Sequence, residues 1–179
     1  VDHVADHITT VGVESIRRFG CQDTGIAIYD DCAANWGPFV SPDTYEQIFL
    51  PALRRMISAY KAAGAAKVMF HSDGNVAPLL DMWVDAGIDA INPIEFRLGM
   101  DPVQMRKQYG NRLVCVGGVC NTEILPRGDR AELRNHVQHL FEAATGGGFI
   151  IGTASISGDV SAATFEYLVE LLDELDPCQ

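Results

Sequence analysis

Short apolar runs alternate along the chain with segments in which apolar residues recur every three or four positions. Near-continuous apolar runs are typical of strands that are buried on both faces of a parallel sheet. They predict strands at 25–31, 67–71, 87–92, 112–118 and 148–152. The intervening segments have the periodicity of amphipathic helices. This spacing is seen at Leu53, Met56, Ile57 and Tyr60, and again at Val76, Leu79, Leu80 and Trp83.

Capping residues and glycines mark where these helices begin and end. A capping side chain followed by proline predicts a helix start at Ser41-Pro42 and at Asp101-Pro102. Gly64 and Gly87 stand where a helix ends in a left-handed glycine. Proline breaks hydrogen bonding within a helix, so Pro51 predicts a kink or break between residues 42 and 63.

Five successive βα units predict an α/β protein with a parallel sheet and helices packed against it. Periodicity leaves two architectures open. One is a five-stranded doubly wound sheet, and the other is part of a (β/α)8 barrel, which needs about 250 residues. The chain has 179 residues and no visible linker or repeat, so we predict a single domain over 1–179. Both architectures place function at the carboxyl ends of the strands.

Composition narrows the classes of partner and the cellular compartment. A net charge of −11 argues against nucleic acid and anionic membranes as partners. No apolar run approaches the length of a membrane span, and the first residues lack the pattern of a signal peptide. The five cysteines include no C-x-x-C pair, which favours a reduced, cytoplasmic protein. Because the chain begins at Val1, we expect a fragment or a processed product.

Polar and ionisable side chains follow the predicted strands. The stretch KVMFHSDGN ends an apolar strand in His71, Asp73 and Asn75. The hypothesis for function assigns catalysis to Asp31, His71, Asp73 and Glu95. It assigns substrate binding to Asp30, Asn75, Asn92, Arg97, Gly117 and Gly118. It assigns metal binding to His71, Asp73 and Cys120. Side chains two residues apart on a strand point the same way, so His71 and Asp73 offer two ligands, with Glu95 or Cys120 as a third.

Each of these residues also has a purely structural interpretation. Asp73 and Asn75 around Gly74 have the composition of a polar turn. Asp30 and Asp31 are adjacent on an extended segment, so their side chains diverge and only one faces a cleft. No phosphate-binding fingerprint surrounds Gly117 and Gly118, so these glycines indicate close approach of a ligand or of backbone.

The order of the motifs resembles the uroporphyrinogen decarboxylase superfamily from about Gly25 to Leu172. The resemblance rests on YDDCA, GPFVSP, FLPALRRMISAYKAAG, VMFHSDGN, DAGIDAINPIE, YGNRLVCVGGV, LPRGD and GGGFIIG. This superfamily joins heme-pathway decarboxylases to zinc-dependent methyltransferases acting on corrinoid or coenzyme M. The resemblance implies the C-terminal part of a TIM-type (β/α)8 barrel that lacks its first strands.

The methyltransferase branch implies a metal site at the end of KVMFHSDGN. Its zinc is held by a His-x-Cys pair and a later cysteine, and His71-x-Asp73 matches that pair while Ala154 matches the later cysteine. Imidazole with carboxylate still suits zinc or a harder divalent ion. We therefore expect methyl transfer between a small methylated substrate and a thiol or corrinoid carrier, with a divalent metal.

Two alternatives remain at this point. One is a decarboxylase of a porphyrinogen-type tetrapyrrole, for which Arg97 is the clearest cationic clamp. The other is a non-catalytic fragment. A barrel that lacks strands leaves sheet edges unpaired, so we also expect a homo-oligomer.

Overall fold

A computed structural model describes residues 1–20 and 25–176. The fold is α/β with a five-stranded parallel sheet. The chain divides into two compact units. The first unit is Val1–Asn92, and the second unit begins at Pro93. The prediction of a single domain over 1–179 stays a prediction. Among the described residues, no helix combines the length and the apolarity that crossing a bilayer requires.

The first unit contains three of the parallel strands and the helices between them. Its helices are α1 (Asp2–Phe19), α2 (Pro42–Ile48), α3 (Leu50–Ala63) and α4 (Leu80–Ala86). Its strands are β1 (Gly25–Tyr29), the short hairpin β2 (Ala33–Ala34) and β3 (Gly37–Pro38), then β4 (Lys67–His71) and β5 (Ala90–Ile94), which runs past the boundary. β4 pairs in parallel with both β1 and β5.

The second unit repeats the βα pattern. Its strands are β6 (Val114–Gly118) and β7 (Phe149–Gly152). Its helices are α5 (Pro102–Tyr109), α6 (Ile124–Arg127), α7 (Arg130–Ala144) and α8 (Ala162–Leu175). β6 and β7 pair in parallel, with Gly118 opposite Gly152.

The predicted helix faces and helix ends are confirmed. The residues that carry the predicted apolar spacing are all 7% exposed or less, namely Leu53, Met56, Ile57 and Tyr60 in α3, and Val76, Leu79, Leu80 and Trp83 in and before α4. Ser41 and Asp101 cap α2 and α5 with their side chains. Helix α2 ends at Ile48 and α3 begins at Leu50, so Pro51 accompanies the predicted break.

The five predicted strands are present, but only 67–71 has both predicted bounds. β1 ends at Tyr29 instead of residue 31, β6 begins at Val114 instead of residue 112, and β7 begins at Phe149 instead of residue 148. β5 begins at Ala90, whereas the apolar pattern predicts a start at residue 87. Gly87 is the left-handed end of α4, and the Asp89 carboxylate accepts Val68 N–H at 2.9 Å and makes ion pairs with Lys61 and Lys67. The strand then continues through Pro93 to Ile94. These contacts of Asp89 join residues far apart in the sequence, so the local pattern could not show them.

Candidate metal site at the strand ends of the first unit

Strand register places three side chains next to one another at the carboxyl ends of β1, β4 and β5. Tyr29 is the register partner of His71, and His71 is the register partner of Asn92. The ladder extends one residue further on each side, because Asp30 N–H donates to the His71 carbonyl and Ser72 N–H donates to the Asn92 carbonyl, both at 3.0 Å. The loops that carry Asp31 and Asp73 therefore leave the sheet side by side.

Asp31, His71 and Asp73 form a cluster that could hold a metal ion. One ligand atom from each residue lies within 4.8 Å of the other two. The backbone N–H of Asp73 donates to Asp31 Oδ1 at 3.0 Å, which fixes the two loops together. Nitrogen and oxygen ligands bind zinc at about 2.0–2.2 Å, so small side-chain rotations would bring all three atoms onto one ion. A histidine nitrogen with two carboxylates fits zinc, and also the harder divalent ions that prefer oxygen.

His71 is held on two sides by its register partners. Its Nδ1 lies 2.7 Å from Asn92 Oδ1, within a hydrogen bond. Its ring centroid lies 4.8 Å from that of Tyr29, with the planes tilted by 37°. The imidazole is half-buried, while Asp31 and Asp73 are exposed. The histidine is therefore oriented by packing, and the carboxylates face solvent where a substrate would arrive.

The loop after β4 is anchored to the chain after β1 by a buried serine and a glycine. Ser72 is fully buried, and its hydroxyl accepts Cys32 N–H at 3.0 Å and donates to the Asp73 carbonyl at 3.1 Å. Gly74 has a φ of +87°, and a Cβ there would lie 2.6 Å from the Ala33 carbonyl oxygen. These contacts leave His71 and Asp73 little freedom to move apart.

The neighbouring aspartates Asp30 and Asp31 diverge, as alternation along extended backbone requires. Asp31 contacts the loop of Asp73, whereas Asp30 lines an apolar cavity of about 360 Å³ bordered by α1, α3 and β1. Although Asp30 is exposed to solvent, partial desolvation raises the pKa of its carboxyl and the nearby Asp31 charge acts in the same direction, against a hydrogen bond with Cys32. Burial, with the Asp30 charge, also raises the pKa of the Cys32 thiol to about 12, so Cys32 stays protonated at neutral pH.

Two predicted substrate-binding amides of the first unit already have partners within the protein. Asn92 bonds to His71, as described above. Asn75 Oδ1 accepts Ala77 N–H at 3.2 Å, which is a local turn contact. The polar-turn interpretation therefore accounts for Asn75, while His71 and Asp73 belong to the cluster.

The predicted site residues of the second unit lie in settings of their own. Arg97 makes ion pairs with Glu123 at 3.5 Å and with Glu132 at 3.3 Å. Gly117 has a φ of +116°, and a Cβ there would lie 2.9 Å from the Ile94 backbone nitrogen, so close backbone packing explains this glycine. Gly118, Cys120 and Glu95 share this unit. Their roles in substrate binding, metal binding and catalysis stay predictions.

Cys120 is buried at the start of the loop that leads into α6. Burial acts to raise the pKa of its thiol, but backbone amides of residues Thr122 to Ile124 outweigh burial and the pKa is lowered. The backbone N–H of Cys120 points at Nε2 of the buried His136, 3.1 Å away. Cys21 and Cys178 lie outside the described residues.

The sequence did not predict the roles of three residues around the cluster. Asp31 was predicted as a catalytic residue but not as a metal ligand, and it lies beside His71 and Asp73 as a third ligand candidate. Ser72 and Tyr29, which support the histidine, are not singled out at all. Tyr29 is the last residue of β1 as His71 is of β4, so aligning the ends of the predicted strands would have pointed to it.

Comparison with known proteins identifies the family and the fold. The family model for uroporphyrinogen decarboxylase (URO-D) matches residues 1–175. A methyltransferase from Methanosarcina mazei has a similar structure, with a TM-score of 0.72 at 21% identity over 97% of this chain and 49% of that chain. This chain therefore spans about half the length of that methyltransferase. No curated protein matches the sequence. The likeness, with the parallel βα units, confirms the prediction of a partial TIM-type barrel.

Proposed function

Because the chain belongs to the uroporphyrinogen decarboxylase family, we propose that it contributes a divalent-metal site to a methyltransferase. The enzyme would move a methyl group between a small methylated substrate and a thiol or corrinoid carrier. The observation that carries the proposal is the cluster of Asp31, His71 and Asp73, whose ligand atoms lie within 4.8 Å of one another. The similar fold of the M. mazei methyltransferase supports it.

The chemistry of the donor atoms agrees with this function. Asp31, His71 and Asp73 would hold the ion, and a bound divalent ion supplies the positive charge that lowers the pKa of a thiol and favours the thiolate. Three protein ligands leave open positions for a substrate. Asn92 and Tyr29 orient the imidazole, and the hydrogen bond between Asp31 and Asp73 N–H keeps the carboxylates together.

The transfer would be a nucleophilic displacement. The thiol would release its proton to solvent, and its sulfur would form a bond to the methyl carbon. The bond between that carbon and its carrier breaks at the same time, and both electrons leave with the carrier. When the carrier is a corrinoid, the electron pair stays on cobalt.

Exposed aromatic side chains near Asp31 favour a flat carrier such as a corrinoid. Tyr29 is 70% exposed, Trp36 is 81% exposed and Phe39 is 59% exposed. All three lie within eleven residues of sequence, at the end of β1 and around the β2–β3 hairpin. Exposed apolar groups of this kind mark ligand or partner sites more often than ordinary surface.

A decarboxylase acting on a tetrapyrrole with several carboxylates is the second candidate, favoured by the family model itself. That reaction calls for cationic clamps. The predicted clamp, Arg97, is already paired with Glu123 and Glu132. Using it on a substrate would require breaking two ion pairs, which places this candidate behind methyl transfer.

The test is anaerobic demethylation of methylcobalamin by a simple alkyl thiol, followed by absorbance, with the purified chain and added zinc. We expect turnover above the rate without protein, lost with a chelator and lost in His71→Ala, but kept in His139→Ala. Zinc-dependent turnover that survives in His71→Ala would contradict the proposed site. Absence of turnover, together with decarboxylation of a porphyrinogen, would favour the second candidate.

A further inference from the structure

Asn92 is committed to His71 rather than open to a substrate. Its side-chain oxygen lies 2.7 Å from His71 Nδ1. The two residues are register partners on adjacent parallel strands, so the backbone fixes this approach. The backbone carbonyl of Asn92 also accepts Ser72 N–H at 3.0 Å, which ties the residue after His71 to the same strand. Asn92 is half-buried, which limits competition from water.

The hydrogen bond determines which nitrogen of His71 carries its proton. An amide oxygen only accepts hydrogen bonds, so Nδ1 must be the donor. In the neutral ring the other nitrogen, Nε2, then carries the lone pair. A free neutral imidazole with no such partner favours the proton on Nε2, so this arrangement reverses the ordinary preference.

We propose that Asn92 is a positioning residue that holds His71 in the Nδ1–H tautomer and thereby presents Nε2 as the metal ligand. The inference rests on the proposed function for its metal, but the tautomer is a property of the protein alone. A hydrogen bond to the far nitrogen fixes the ring of a ligating histidine and raises its basicity, and loss of such a partner typically costs about 10- to 100-fold in metal affinity.

The orientation agrees with the rest of the cluster. Tyr29 packs against the ring of His71 with centroids 4.8 Å apart, and Asn92 occupies its Nδ1. Nε2 is the nitrogen that remains for the group with Asp31 and Asp73. Tyr29 thus packs against the face of the imidazole, and Asn92 accepts the hydrogen bond from its Nδ1–H.

The test reads the tautomer of His71 by nitrogen-15 NMR in the metal-free protein, at a pH above which the ring signals no longer change. We expect the Nδ1–H form in the wild type and in Asn92→Asp, whose carboxylate also accepts the proton. Asn92→Leu should shift the ring toward Nε2–H. Asn121→Leu is the matched control, since Asn121 bonds to Ser155, and it should leave the signal unchanged.

Zinc affinity by calorimetry supplies the second readout. The zinc affinity of Asn92→Leu should be about 10- to 100-fold lower than that of the wild type, and the affinity of Asn92→Asp should equal or exceed the wild-type affinity. An Nε2–H tautomer in the wild type would overturn the inference without any variant, because the amide nitrogen of Asn92 would then be the donor. An unchanged tautomer in Asn92→Leu would overturn the role of Asn92. If neither the wild type nor any variant binds zinc, but Asn92→Leu alone loses the Nδ1–H form, the proposed function fails while the assignment to Asn92 stands.

Discussion

The backbone N–H of Asp73 donates to the side chain of Asp31 at 3.0 Å, and this hydrogen bond joins the Cys32–Ser72 hydrogen bond in tying the loop after β4 to the loop after β1. The contact joins residues 42 positions apart. It also holds together the two carboxylates that accompany His71.

This contact predicts different results for two substitutions of Asp31. Asp31→Asn keeps an oxygen acceptor, so the Asp73 amide should remain protected from hydrogen exchange. Asp31→Ala removes the acceptor and should cost about 1 kcal/mol in the free energy of unfolding. Exchange at the Asp73 amide, measured by NMR, should accelerate in Asp31→Ala alone. Equal exchange in the two variants would show that the hydrogen bond does not hold the loop.

Gly74 and Gly99 form a matched pair for testing the packing of the loop after His71. Both have nearly the same φ, +87° at Gly74 and +88° at Gly99. A Cβ at Gly74 would meet the Ala33 carbonyl oxygen at 2.6 Å, whereas nothing lies within 4 Å of one at Gly99. Both alanine variants carry the strain of a positive φ, about 1–3 kcal/mol.

We expect Gly74→Ala to unfold at a clearly lower temperature than Gly99→Ala, because it adds a clash with backbone. Thermal unfolding followed by circular dichroism measures the difference. Equal melting temperatures would mean that the loop after β4 moves easily away from Ala33.

Sequence alone predicted the elements that local interactions determine. Apolar runs gave the strands, and Ser41, Asp101, Gly64 and Gly87 gave helix ends, since a cap needs only its own neighbours. His71 and Asp73 were found because they share one strand end. Asp89, just before β5, pairs with Lys61 and Lys67, which lie more than twenty residues away, so the local pattern could not show these contacts.

The partners of His71 were beyond the sequence for a similar reason. Tyr29 and Asn92 reach the imidazole through the register of parallel strands, and no local pattern specifies that register. The pairing of Asp31 with Asp73 depends on the path of two loops. A strand-end histidine is therefore visible from sequence, whereas the contacts that orient it require the fold.

The pH dependence of stability should reveal the buried His136. Burial lowers its pKa, and the positive charge of Arg97 and the neighbouring His139 act in the same direction, against Glu132 and the Gly118 carbonyl. Its folded pKa thus lies below the unfolded value of 6.5. The unfolded chain then takes up the proton first, so stability is complete above about pH 6.5 and falls as the pH drops below it.

His136→Gln should reduce that pH dependence, because glutamine does not titrate but can still accept Cys120 N–H. The exposed His3 supplies the control variant His3→Gln, in which the free energy of unfolding should change with pH as it does in the wild type. Urea unfolding between pH 5 and pH 8 compares the three proteins. If the free energy of unfolding of His136→Gln falls as steeply with decreasing pH as that of the wild type, His136 is not the source of the pH dependence.

Helix α1 has an apolar stripe that predicts self-association. Val1, Val4, Ile8 and Val11 are spaced by three and four positions, and each is 47% exposed or more. Another stripe of α1, with Ala5 and Ile16, is buried. Exposed apolar surface of this kind is typical of an interface.

We therefore expect the purified chain to form dimers or larger assemblies, measured by size exclusion with light scattering. Ile8→Glu should shift the population toward monomer, because a carboxylate would be buried in the contact. Thr10→Glu, at an exposed polar position of the same helix, should leave association unchanged. A monomer at every concentration in the wild type would refute this prediction.

Zinc calorimetry of the wild type, His71→Ala and His139→Ala shows whether Asp31, His71 and Asp73 bind a divalent metal. His139 also lies beside carboxylates, with Asp101 at 2.9 Å and Glu142 at 3.4 Å, so it controls for adventitious binding. We predict one zinc site in the wild type and in His139→Ala. In His71→Ala we predict a loss of more than about 100-fold, beyond the effect of losing a residue that only orients a ligand. Equal affinity in the wild type and His71→Ala, or no binding by either, would contradict the account.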